Sequence, residues 1–159
     1  MRAEFVNPFV QAATEILENE LGTEVDRGDA RLQKSAYTTT EVTALIAVSG
    51  QVEGLILFTM DLDVARKVVG TMLGREQEDD LSSEAEDRLC ELQSLIADRA
   101  SVLLSQAGYP VAMQPPVIVR GDGVMLTTLD LNRLVVPLTM SLGEIEIQVI
   151  LRESQQKAA

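Results

Sequence analysis

Residues 144–151 read EIEIQVIL, and that alternation leaves the backbone little freedom. Successive side chains of a β-strand point to opposite faces, so Ile145, Ile147, Val149 and Leu151 fall on one side and Glu144, Glu146 and Gln148 on the other. The pattern predicts a sheet with one face on a core and one in water, the habit of antiparallel sheets. The apolar face needs a cover, and the remainder of the chain has to supply it.

Three segments carry helical periodicity. Asn7 followed by Pro8 reads as a helix start, cap then first position, and Phe9, Ala12, Ala13, Ile16, Leu17 and Leu21 recur on one side before Gly22. Asp61 is placed to cap LDVARKVVGTML, with Leu62, Ala65, Val69, Met72 and Leu73 as its stripe and Gly74 at its end. Ser83 and Glu86 have capping-box spacing, and the third and longest helix runs from about Glu84 to Gln106, where Gly108 and Pro110 stop it.

The β-branched run TTTEVTALIAVSG and LILFTM read as a hairpin joined through GQVEG, and PPVIVR, VMLTTL, LVVPLTM and EIEIQVIL follow as strands with GDG at 121–123 as a turn. Pro137 in LVVPLTM belongs on an edge or at a bulge, because proline has no N–H to give a ladder. The stretch from Glu24 to Lys34 reads as a loop or weak edge strand, and REQEDDL as an acidic connector. The order of elements implies an α+β sandwich: one domain over 1–152, a largely antiparallel sheet covered by about three helices, and a disordered tail at 153–159.

Composition restricts the chemistry. The chain has no His and one Cys, Cys90, so a Ser-His-Asp triad, a Cys-His pair and a Cys/His zinc site are excluded by inventory. A net charge of -12 repels polyanions, so neither nucleic acid nor an anionic membrane surface is an expected partner. The lone Cys and the start MRAEFVNPFV, which lacks a secretory signature, suit the cytoplasm.

The third helix has two unlike sides. With about 100° per residue, Leu89, Leu92, Ile96 and Leu103 form a core-facing stripe, while Asp87, Glu91, Ser94, Asp98 and Ser105 line the opposite side. Glu91 and Ser94 are therefore neighbours that project outward, which is also the pattern of an ordinary solvated face. Gln93 lies about 100° round from Ser94 towards the apolar flank, so its amide is not aimed with Glu91.

Five stretches taken together, RAEFVNPFVQAATEIL, IAVSGQVEGLILFTMDLDVARKVVGTMLG, SSEAEDRLCELQSLIADRASVLL, QPPVIVRG and GEIEIQVIL, resemble the CheX family of chemotaxis phosphatases, related to CheC and FliY. The family's motif is Asp or Ser, a Glu four residues on, an Asn three after that, and a Pro further along. Asp87 and Glu91 match, Pro115 or Pro116 stands at the Pro, and Ser94 occupies the Asn position.

The resemblance implies a helix that docks on a phosphorylated receiver domain of the CheY type. The receiver's aspartyl phosphate and Mg²⁺ supply the electrophile and its charge neutralisation, so the chain needs no cofactor or metal of its own. In such a complex Glu91 pairs with the receiver's active-site Lys and the residue at 94 fixes a water in line with phosphorus. Glu91 and Ser94 are then the catalytic pair, and Asp87, Asp98 and Pro115 border it as partner-binding residues. An Asn amide carries an acceptor and two donors on a planar arm, whereas Ser offers one hydroxyl at shorter reach. The expectation is weakened hydrolysis with docking retained, and its limit is a non-catalytic phospho-receiver-binding or flagellar-switch interaction module. The resemblance also implies a homodimer, with a strand of the C-terminal half at or near its interface.

Overall fold

The computed structural model describes residues 3–33, 37–38, 40–74, 81–121, 125–126 and 132–154. The helices are α1 (Ala3–Leu21), α2 (Leu62–Met72) and α3 (Ser83–Gln106). The strands are β1 (Asp26–Arg27), β2 (Arg31–Gln33), β3 (Tyr37–Thr38), β4 (Val42–Gly50), β5 (Val52–Met60), β6 (Val111–Met113), β7 (Val117–Arg120), β8 (Met125–Leu126), β9 (Arg133–Met140) and β10 (Gly143–Glu153). Eight strands form one antiparallel sheet in the order β1-β9-β10-β5-β4-β6, with β2 also on β9 and β7 also on β4, while β3 and β8 pair separately. The α+β sandwich with three helices on a largely antiparallel sheet is thus the observed architecture.

Alternation sorts the sheet as expected on its inner face. Ala44, Ile46, Ile56, Phe58, Val136, Leu138, Ile145, Ile147 and Val149 join Phe5, Phe9, Leu17, Val69, Leu89, Leu92 and Ile96 of the helices in one core. The outer face departs from the expectation along β10. Gln148 and Ile150 are buried there, Ile150 in a second cluster with Leu57, Leu45 and Leu55, and Gln148 accepting a hydrogen bond from the buried Arg133 guanidinium. A buried amide is tolerated where a charged donor satisfies it.

Proline sets the interruptions of both sheet margins. Pro137 sits within β9, and its carbonyl accepts from Gly28 N at 2.8 Å in the gap between β1 and β2. A strand residue turns its N–H and C=O to the same side, so the missing donor faces that gap while pairing with β10 is untouched. Pro115 and Pro116 likewise separate β6 from β7 on the β4 margin, where β4 advances three residues, Leu45 to Val48, against four on the partner, Val117 back to Met113.

Several boundaries differ from the sequence reading. α1 begins at Ala3 with Pro8 inside it, because Phe5 and Val6 of its first turns are buried and Pro8 forgoes only the bond to Glu4. Gly54 is a strand residue rather than part of the hairpin turn: at φ +144° it lets β10 pass so closely that a Cβ would lie 1.8 Å from the Ile150 carbonyl oxygen. β10 runs on to Glu153, paired with Val52. The REQEDDL connector (apart from Leu81), residues 122–124 of the GDG turn region and the tail after Ser154 lie outside the described residues.

Candidate functional site

α3 is fixed at its start by Ser82, whose Oγ accepts from Ala85 N at 3.2 Å, rather than by Ser83. With Ser82 as the cap, the place a capping-box Glu would fill is Ala85. Glu86 instead faces Arg120, whose guanidinium also donates to the Leu81 carbonyl at 2.7 Å and ties β7 to the helix start. On the inner side Leu89, Leu92 and Ile96 are buried as expected, but Ala100 and Leu104 complete the stripe and Leu103 is only half-buried. α1 braces the helix further: Arg99 Nε donates to Glu15 Oε2 at 2.8 Å, and the bonds from Arg99 and then Gln11 hold the Glu15 carboxyl below its usual range.

The outer side gathers the residues singled out from the sequence. Asp87, Glu91 and Asp98 are exposed and Ser94 is half-exposed on the same helix face. Cys90 is half-buried, with Sγ 4.0 Å from the Pro116 carbonyl oxygen, so the proline kink lies beside the turn that carries Glu91, and Pro115 is exposed there. Burial pushes the Cys90 thiol up, and the charges of Asp87 and Glu86 push it further. Gln93 is 1% exposed and its Oε1 has no partner among the described residues, so its amide cannot serve the outer face.

Two features of this face were not singled out from the sequence. Leu95 and Val102 are exposed beside Glu91 and Asp98, giving the acidic face an apolar component. Arg88 Nη1 bonds both oxygens of Glu91 at 2.8 Å, so the carboxylate already carries a cation. The i,i+3 rule for helical ion pairs was the available signal.

Glu91 and Asp98 are exposed on this face and Ser94 is half-exposed. Cavities of about 240 Å³, lined by Thr40, Thr59, Met60, Asp61, Val64 and two glutamates, and about 550 Å³, lined by Glu41, Leu62, Arg120 and Gly121, include neither Glu91 nor Ser94. Among the described residues no group of three or more His, Cys, Asp or Glu is placed to hold a metal ion, and no helix is long and apolar enough to cross a membrane. What the arrangement offers is a carboxylate, a hydroxyl and apolar contacts for another molecule's surface.

The family described as "Chemotaxis phosphatase CheX" matches residues 42–139. The "CheY-P phosphatase CheX" of Thermotoga maritima is 26% identical over 121 residues, covering 76% of this chain and 78% of that protein. Chemotaxis protein CheX from Vibrio vulnificus has a TM-score of 0.82 at 25% identity, covering 94% of this chain and 99% of its own. A chain of the CheX-CheY-BeF3-Mg complex from Borrelia burgdorferi has a TM-score of 0.80 at 25% identity, covering 96% of this chain and all of its own.

Proposed function

The chain belongs to the chemotaxis phosphatase CheX family, and from that premise we propose that it docks α3 on a phosphorylated CheY-type receiver domain and promotes loss of the aspartyl phosphate. The observation that carries this reading is the outward pairing of exposed Glu91 and half-exposed Ser94 on one face of α3. Such a face becomes an active site only when a partner brings the electrophile. Glu91 takes the receiver's lysine, and the Ser94 hydroxyl accepts or donates one hydrogen bond to the attacking water. Asp87, Asp98 and the exposed Pro115 border the contact, and Mg²⁺ stays with the receiver.

Water's oxygen bonds to phosphorus, the P–O bond to the aspartyl group breaks with its electron pair on the carboxylate, and both water protons leave on dihydrogen phosphate. Positioning and charge stabilisation are what this step needs. A single rotatable hydroxyl positions water less firmly than an amide, so turnover is slow. That same difference favours a second reading, phosphorylation-dependent binding without turnover.

Decay of a phosphorylated CheY-type receiver with Mg²⁺ tests both. The native protein should accelerate decay modestly and Ser94→Asn by a further factor of about ten or more, the worth of one well-made charge-assisted hydrogen bond. Acceleration by the variant alone supports binding without turnover. No effect from either, together with no binding, removes the receiver from the account. We further propose that the protein works as a homodimer joined at a sheet edge.

A further inference from the structure

Arg88 occupies the place on Glu91 that a partner's ammonium would need. A single nitrogen, Nη1, lies 2.8 Å from each carboxylate oxygen and so sits between them. The Nε of the same guanidinium is buried and has no hydrogen-bond partner among the described residues. The outer face of α3 also carries the exposed carboxylates of Asp87 and Asp98, which with Glu91 would repel a phosphoryl dianion, and Ser94, which offers such a group one hydroxyl. Of the other arginines that reach α3, Arg99 is tied to Glu15 of α1 and Arg120 to Glu86 and the Leu81 carbonyl.

We propose that Arg88 is a phosphoryl-binding residue: when the receiver's lysine takes Glu91, the released guanidinium turns to the oxygens of the aspartyl phosphate. This rests on the docking reading above.

Magnitudes decide between this role and simple masking of Glu91. An exposed i,i+3 ion pair is worth only about a factor of two in an equilibrium, so it cannot hide Glu91 from a partner and is readily given up. A charge-assisted bond inside a closed interface is worth about a factor of ten or more, and the guanidinium fork matches two phosphoryl oxygens at once. Glu91 is not left without a cation, because the lysine replaces Arg88. The guanidinium neither gives nor takes a proton, and its charge offsets that spread over the phosphoryl oxygens as the P–O bond breaks.

The test is calorimetric titration of the full chain with a CheY-type receiver, either unloaded or charged with beryllofluoride and Mg²⁺. Arg88→Ala should weaken binding to the charged receiver about tenfold and leave binding to the unloaded one within about twofold, with Arg88→Lys recovering part of the loss. That state-selective loss is not what a merely structural arginine would produce. Equal losses on both receiver states, or unchanged or tighter binding to the charged one, overturn the proposal alone, provided the native protein prefers the charged receiver. If the native protein shows no such preference, the docking reading fails and the proposal fails with it.

Discussion

A cysteine set among carboxylates is a poor nucleophile, and Cys90 is the nearest thiol to the docking face. Burial raises its pKa first, then the charges of Asp87 and Glu86, so the neutral thiol persists to higher pH than in a free cysteine. Alkylation by iodoacetamide near neutral pH should therefore run several-fold slower in the native protein than in the denatured chain, with the midpoint of the rate-against-pH profile displaced to alkaline values and moved back by Asp87→Asn. A native midpoint at or below that of the denatured chain would contradict this. The linkage has the same sign: with the folded pKa raised, the contribution to stability is whole below the unfolded pKa and is lost as pH climbs towards the folded one. At this scale the sequence places residues on sides of α3 well, since helical period alone brings Asp87, Glu91, Ser94 and Asp98 together. It does not say that Arg88 closes on Glu91, because period fixes a direction from the axis and not a rotamer. Nor does it say that Leu95 and Val102 stay uncovered, which depends on where the neighbouring elements stop.

Caps and breakers act on whole elements, and here local signals divide into those that geometry honoured and those it overrode. Ser82 and Ser83 are adjacent and chemically identical, yet Ser82 alone caps α3. Ser82→Ala should cost about 1 kcal/mol in urea unfolding while Ser83→Ala changes little. Equal costs would show that both hydroxyls share the end. The alternation of EIEIQVIL reads correctly because half of that strand's side chains enter one core. The asparagine-proline pair at 7–8 misleads because the cost of an interior proline near a helix start is smaller than the gain from burying Phe5 and Val6. Gly54 misleads for another reason: a glycine in a strand marks close backbone approach as readily as a turn, and the approaching strand, β10, lies almost a hundred residues away. Pro137 was legible in chemistry but not in place, since an edge or a bulge could each have taken it and the interrupted β1–β2 margin supplied the bulge.

Assembly is decided by the whole molecule's charge and its margins. Each copy carries -12, so two copies repel at low ionic strength, and any contact must come from apolar or backbone pairing that salt does not weaken. Both sheet margins are short and broken by proline, which blunts them against open-ended strand pairing. Each nonetheless presents one large exposed aliphatic side chain, Val117 in β7 and Leu32 in β2. Of the two, β7 belongs to the C-terminal half and is anchored to the start of α3 through Arg120, so it is the margin at which the proposed homodimer is expected to pair. Sedimentation velocity should then show the dimer fraction rising as salt is raised from about 50 to 500 mM, because the Debye length falls well below the spacing of most surface charges. Val117→Lys should return the protein to monomers at either salt, and Leu32→Lys should leave the dimer in place. If Leu32→Lys is the change that dissociates it, the copies meet at the opposite margin, and β7 with its neighbouring prolines is left wholly to the receiver.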